Sequence, residues 1–308
     1  MATTTSVTTT YAGEFAGKYV SAALLSADTI EGGGVTIKPN VKFKEVLKTI
    51  NLDAITKDAT CDFSDTSTLT LAESILEVKQ LQVNLELCKS DFEDDWSAME
   101  MGLSAHDVLP ASFSDYLIGY VASKVAAKNE QNIWQGVDAN AGEFDGFTTL
   151  AAANADVIDV TGTTITAANV IDELGKVVDA IPAALYGKED LYIYVSQHIA
   201  RSYVRALGGF GASGLGANGV NNAGTTWFNG GDLAFDGVKL FVASGLPTND
   251  MIAAQKSNLY FGSSLLADWQ EVKLLDMADL DGSKNVRVIM RMAAGCAIGI
   301  GADVVYYT

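Results

Sequence analysis

The sequence predicts an α+β protein, and three observations carry that prediction. Apolar residues recur at Phe113, Leu117, Tyr120, Val121 and Val125, with Ile133 and Trp134 further on, which is the spacing of one buried stripe on a long helix. Leu81, Val83, Leu85 and Leu87 alternate with Gln82, Asn84, Glu86 and Cys88, the period of two of a strand with one buried face. An α/β region follows the long helix, and the pattern then returns to strands.

Residues 1 to about 34 are rich in Thr, Ser, Ala and Gly and end in Gly32-Gly33-Gly34. They read as an extended arm with one short helical piece near Phe15–Leu25, and such a segment has little of its own to bury. Strand and turn patterning runs from Val35 to Leu87. Between Ile55 and Leu76 lies a Thr-, Asp- and Ser-rich excursion with few apolar anchors, Phe63, Leu69 and Leu71. It is expected to be a long two-stranded hairpin, which alone is marginal in water and needs packing against something else. The long helix comes next. Pro110 precedes it, Ser112 with Asp115 can cap it, and Gly136 stops it. At roughly 22 residues it spans about 33 Å, and it runs directly into Gly142-Glu-Phe-Asp-Gly-Phe147.

Thr166 can cap a further helix with the stripe Val170, Leu174, Val177, Val178 and Ile181, halted by Pro182. Leu191–Val195 is a buried strand, and a helix runs from about Gln197 to Leu207. Gly208 to Gly237 is a loop region dense in glycine and asparagine. Strands resume at Val238–Ala243, Met251–Ala254 and Asn258–Phe261. Val272–Asp276 and Val286–Met292 flank Asp281-Gly282-Ser283 as a hairpin, and Ala297–Tyr307 is expected to add a final strand.

Composition narrows the function. The chain has 308 residues, 48% of them hydrophobic, enough for a sizeable core in one or two domains. Its 20 basic against 38 acidic side chains leave a net charge of −18. A protein that grips a phosphate backbone needs clustered Lys and Arg, so direct nucleic-acid recognition is not expected. An acidic wall that nucleic acid slides past is compatible. No run of about 18 apolar residues exists, so no membrane span is expected, and the N-terminus lacks the apolar core of a signal peptide. Cys61, Cys88 and Cys296 are an odd number without short-range pairing, which fits free thiols and synthesis in a reducing cytoplasm.

The motifs that could carry chemistry do not complete a site. Gly209-Phe-Gly-Ala-Ser-Gly214 has the glycine spacing of a dinucleotide loop, but a helix precedes it and more glycine follows, where a strand and then a helix are required. Asp276, Asp279, Asp281 and Gly282 hint at a calcium loop, yet the acidic alternation and the closing Glu are missing, and a turn explains them better. His106 and His198 have no Cys or Glu cluster near them. No catalytic residue, cofactor or metal is expected.

The order of these segments resembles the major capsid protein family of tailed bacteriophages, the Hong Kong 97 fold. The resemblance is carried by the helix ending Asn132-Ile-Trp-Gln-Gly136, by Gly142-Glu-Phe-Asp-Gly-Phe147, and by Tyr192-Ile-Tyr-Val-Ser196 followed by Tyr203-Val-Arg-Ala206. Gly237-Val-Lys-Leu-Phe-Val242 through Gly245-Leu-Pro247 is similar too, as are Lys256-Ser-Asn-Leu-Tyr-Phe-Gly262 with Asp268 and the closing Gly299-Ile-Gly-Ala-Asp-Val-Val-Tyr-Tyr307. It implies an N-terminal arm (1–34), a peripheral domain (35–146) with an extended loop near 50–80 and a spine helix at 112–135, an axial domain (147–255), and C-terminal strands (256–308) returning to the peripheral domain. It also implies a structural, non-enzymatic protein. Many copies, as hexamers and pentamers, would build an icosahedral or elongated shell around double-stranded DNA without sequence-specific contact. Partners would be scaffolding, portal and decoration proteins, and the location a virion capsid assembled in the host cytoplasm. An encapsulin-like shell for protein cargo shares the fold and is the nearest rival; a secreted surface-layer protein is disfavoured by the missing signal segment.

Under that resemblance, Lys57, Phe63 and Leu69 in the extended loop are expected at subunit interfaces. Some relatives join a loop lysine to a neighbour's asparagine, but nothing here identifies the asparagine or the promoting acid for Lys57. All four arginines, Arg201, Arg205, Arg287 and Arg291, fall in the later half, whereas 51–110 is strongly acidic and includes Asp94 and Asp95. Arginine pairs with carboxylates through a planar fork, so these groups are expected to meet between copies, intrachain pairing being the plain alternative. Gly209, Gly211, Gly214 and Asn218 are expected in a loop at the capsomer centre.

Overall fold

The computed structural model describes residues 28–52, 56–59, 61, 69–88, 111–208, 233–263, 273–278 and 282–308. A four-residue helical turn, α1 (Asp28–Glu31), precedes β1 (Thr36–Lys38), β2 (Lys44–Leu52), β3 (Leu69–Glu77) and β4 (Lys79–Cys88). The long helix α2 (Ala111–Gln135) and the short α3 (Phe147–Ala153) lead to β5 (Ile158–Val160), α4 (Val170–Ala180), β6 (Leu191–Val195) and α5 (Gln197–Gly208). Then come β7 (Ala234–Phe235), β8 (Val238–Val242), β9 (Met251–Gln255), β10 (Leu259–Ser263), β11 (Lys273–Asp276), β12 (Asn285–Ile298) and β13 (Val305–Tyr307). The helical piece expected near Phe15–Leu25 and the expected cap at Ser112 lie outside the described backbone or side chains.

The first sheet is organised by β12. One edge of it pairs antiparallel with all of β4, from Asn285 opposite Cys88 to Ala294 opposite Lys79. The other edge meets β11 at Val286–Ile289 and β10 at Ala294–Ile298, and β1 adds to β10 in parallel. Val286, Val288 and Met290 are buried while their neighbours are half-exposed, the alternation of a strand with one covered face. From Ala293 onward every residue of β12 is buried.

The second sheet has the order β5-β13-β9-β6-β8-β7. Its one face carries Leu191, Ile193, Val195, Met251, Ala253, Val305 and Tyr307 against the apolar stripes of α4 and α5. Its other face carries Tyr194, Ile252, Ala254 and Tyr306 against Trp134 and Phe147. A strand covered on both faces needs a continuous apolar run, and Leu191–Val195 supplies one. α4 begins at Val170, later than Thr166 alone suggests. The Asn169 side-chain oxygen accepts the Thr166 N–H at 2.7 Å and its hydroxyl at 2.9 Å, closing a separate turn ahead of the helix.

The expected final strand Ala297–Tyr307 is two strands. β12 ends at Ile298, a 3-10 turn at Gly301–Asp303 intervenes, and β13 belongs to the other sheet. Asn258 fixes the break. Its backbone carbonyl accepts Gly299 N–H at 3.0 Å, its side-chain oxygen accepts Ile300 N–H at 2.7 Å, and its side-chain nitrogen donates to Ile300 O at 2.8 Å. Asn258 itself closes the 3-10 turn Lys256–Asn258 between β9 and β10, so the two short passages from sheet to sheet meet at one residue, while the third, from β4 to β5, runs through α2 and α3.

β2 and β3 form a separate two-stranded antiparallel ribbon, from Lys44 opposite Glu77 to Leu52 opposite Leu69. Its root is stitched to the first sheet: Ser74 donates its hydroxyl to Ile298 O at 2.7 Å, and Val78 N–H to Phe43 O at 3.1 Å. The backbone crosses β12 so closely that a Cβ on Gly295 would sit 2.0 Å from Glu77 O. Gly295→Ala should therefore push the ribbon root off β12 and cost about 1–3 kcal/mol, read as a lower urea midpoint of the unassembled chain.

Candidate functional site

The outer part of the ribbon is the first candidate surface. Its register places Val46 opposite Ile75 and Ile50 opposite Leu71 on one face, and the pairing ends with Leu52 opposite Leu69. The opposite face is covered near the root, where Leu47 and Leu76 bury against Val41, Ala293 and Ala297. The first face is open: Ile50 and Leu71 are each 65% exposed. Contiguous apolar side chains left in water mark an interaction surface. Lys44 and Glu77 pair across this face at 2.8 Å, and because both are about half exposed the pair is worth at most about 1 kcal/mol. Of the residues expected here, Leu69 ends the paired part of the ribbon and is exposed, Lys57 sits exposed in the loop beyond, and Phe63 lies outside the described residues.

A buried latch fixes how the N-terminal segment enters. Glu130 lies on the buried face of α2 with no solvent exposure. Its carboxylate accepts the Thr29 hydroxyl at 2.5 Å and the Thr29 N–H at 3.2 Å, while Trp134 Nε1 donates to Thr29 Oγ1 at 2.7 Å and to Glu130 Oε1 at 3.2 Å. A buried carboxylate must find donors, and two of these come from a segment 101 residues away. Tyr194 completes the tie by donating its hydroxyl to Gly34 O at 2.5 Å, and burial pushes its phenol well above the usual range. Spacing alone could have flagged Glu130, which stands one turn before Trp134 on the buried stripe; composition could not.

The turn beyond α2, which stood out in the sequence, is built around two carboxylates. Glu143 accepts Lys128 Nζ at 2.6 Å, Asn140 Nδ2 at 3.0 Å and Val137 N–H at 3.2 Å. These donors, Lys128 first, push its pKa down to about 2. Asp145 accepts Asp138 N–H at 2.7 Å. On the second sheet, burial works against the Glu173 carboxylate, but hydrogen bonds from Lys176, Tyr307 and Thr163 outweigh it and hold its pKa below the usual value. Burial and this carboxylate push Tyr307 up to about 12.

The arginines do not converge. Arg287 donates from Nε to Glu86 at 3.3 Å within its own sheet, and Arg291 is exposed further along β12. Arg201 and Arg205 are exposed on α5, as is His198. Asp94, Asp95, Gly209, Gly211, Gly214 and Asn218 lie outside the described residues, as do His106, Asp279 and Asp281. Asp276 accepts the Ala278 N–H at 3.0 Å. Among the described residues, no three His, Cys, Asp or Glu side chains are grouped to hold a metal ion. No helix of the described residues is long and apolar enough to cross a membrane.

No protein-family model and no curated protein matches the chain. Solved structures do. The capsid of an empty gene transfer agent particle matches with a TM-score of 0.61 at 13% identity, over 94% of this chain and 91% of the other. A chain of Gordonia phage Cozz matches with a TM-score of 0.63 at 12% identity, over 97% and 91%. A chain of Mycobacterium phage Bobi matches with a TM-score of 0.58 at 13% identity, over 98% and 95%. At such identities the likeness is one of fold, and it spans nearly the whole chain: the α+β, Hong Kong 97-type fold of tailed-phage capsid proteins.

The Glu143 turn has a defined pH response. Its folded pKa lies below its unfolded one, so its contribution is complete above about pH 4.5 and is lost as pH falls toward about 2. With the exposed Lys128 discounted for screening, Glu143→Gln should cost at most about 1 kcal/mol at neutral pH, and the gap between wild type and variant in urea unfolding should close through that acid window.

Proposed function

We propose that this chain is the major structural subunit of a closed shell enclosing double-stranded DNA, as in tailed phages. The observation that carries the reading, on top of the fold, is the β2–β3 ribbon: an isolated two-stranded element with an open apolar face. Ordering it costs about 1–2 kcal/mol per residue, and each large apolar side chain buried by a neighbour returns about 1.5–3 kcal/mol. Sister copies are the natural cover, because closed assemblies repeat one interface many times.

In this reading residues 1–34 form the arm, 35–146 the peripheral domain with the extended loop near 50–80 and α2 as its spine, 147–255 the axial domain, and 256–308 the return to the periphery. The glycine-rich loop of 208–237 points to the capsomer centre. Scaffolding, portal and decoration proteins are partners. The net charge of −18 supports an inner wall to which packed DNA does not adhere, so the DNA is held without sequence-specific contact. The role is mechanical rather than catalytic, and assembly takes place in the host cytoplasm.

Electron microscopy of the expressed chain should show closed polyhedral particles, and particles from infected cells should carry nuclease-protected DNA. Particles holding protein cargo and no nucleic acid would move the reading to an encapsulin-like compartment, and a chain that stays monomeric at high concentration would overturn it. Ile50→Asp with Leu71→Asp should abolish particles while shifting the unfolding free energy of the dispersed chain by no more than about 0.5 kcal/mol, as exposed sites do.

A further inference from the structure

We infer that the outer face of α4 is the docking site for α5 of a second copy, with Asp172 and Asp179 of one chain meeting Arg201 and Arg205 of the next. The inference rests on the shell reading and names the contact between neighbouring copies. It begins with layout. α4 and α5 pack side by side on the same face of the second sheet, and each leaves an outer face in water. α4 covers β5, β13 and β9. α5 reaches toward β7, where Tyr203 donates its hydroxyl to Ala234 O at 2.9 Å and packs its ring 5.9 Å from that of Phe235. Two different outer faces of one layer fit head to tail, a contact that forms rings when its rotation closes and filaments when it does not.

Charge comes second. α5 contains no acidic residue, and its exposed stripe is His198, Arg201 and Arg205. Neither arginine makes an ion pair among the described residues. The outer face of α4 exposes Asp172 and Asp179, beside the 44%-exposed Ile171. The single cation of α4, Lys176, is held by the buried Glu173 at 2.8 Å. Asp172 and Asp179 stand seven residues apart, about 10.5 Å along the helix axis, and Arg201 and Arg205 four residues, about 6 Å, a difference that the long arginine side chains span.

The third argument is local. Asp179 stands in the last turn of α4, where a negative charge opposes the helix dipole. Gly175 interrupts the same stripe in mid-helix, where glycine is unfavourable, and a Cβ there would meet nothing within 4 Å. Among the described residues, nothing in the chain's own packing asks for either residue. A close-approaching partner with positive charge asks for both, and sites that break local rules without internal cause are where function is expected.

The test uses the full chain and reads association by sedimentation and particles by microscopy. Arg201→Glu with Arg205→Glu should abolish association, and adding Asp172→Arg with Asp179→Arg in the same chain should restore it. Gly175→Leu should keep or raise the melting temperature of the dispersed chain and still abolish association. Shells that form unchanged with either alteration, or a charge swap that fails to restore association, overturn this contact and leave the shell reading standing. Small oligomers that obey the swap but never close support the contact and overturn the shell reading. A wild-type chain that never associates overturns both.

Discussion

Everything in this structure hangs on the burial of one helix end. The last turns of α2 place Ile133 and Trp134 with no exposure between the two sheets, in a single cluster that draws Leu81, Phe261, Cys296 and Ile298 from the first sheet and Tyr194, Ile252, Ala254 and Tyr306 from the second. Trp134 touches Phe147 and Tyr194 with ring centroids 5.5 and 5.1 Å away, in tilted geometries that favour aromatic contact. A long helix can serve as a brace because one of its ends is anchored in this way.

Polar anchoring follows from the same burial. Packing the end of α2 between sheets strands an indole N–H, a carboxylate and several backbone groups away from water, and each must find a partner. Glu130 and Thr29 satisfy one another and the indole; Thr148 donates its hydroxyl to Trp134 O at 2.7 Å, and Gln135 donates from its side chain to Gly245 O at 2.7 Å. The result is a joint whose apolar contacts supply the stability and whose hydrogen bonds fix the angle. Among the described residues the ribbon has no such joint beyond its root, and its outer face is left open.

The elements most visible in the sequence are those with a local period. The stripe through Val121, Val125, Ile133 and Trp134 is the covered face of α2, and the alternation from Leu81 to Leu87 is β4, whose apolar side is buried at Leu81 but exposed at Leu85. The run Leu191–Val195 is β6, whose two covered faces leave an unbroken apolar string. The long β12 was cut short in the sequence reading because Ala293–Ile298 is buried throughout and built of small residues, so neither period shows. The break at Gly299–Val304 depends on Asn258, distant in sequence and silent in composition. Glu130 is similar: a charged residue on a buried stripe contradicts the pattern until Thr29 is known to sit against it. The charged stripes of α4 and α5 became informative only once the sheet had fixed which sides of those helices remain in water.

The pairing order of the strands has a consequence for how the chain is made on the ribosome. β4 has its ladder with β12, with partners such as Glu86 and Arg287 separated by 201 residues, and β5 pairs with β13, close to the contact of Thr163 and Tyr307 across 144 residues. β4 and β5 therefore remain unpaired until late strands emerge, the slow, non-local folding that contact order describes. Their open edges are exposed to aggregation while the chain is growing, whereas the ribbon of β2 and β3 can close on itself early.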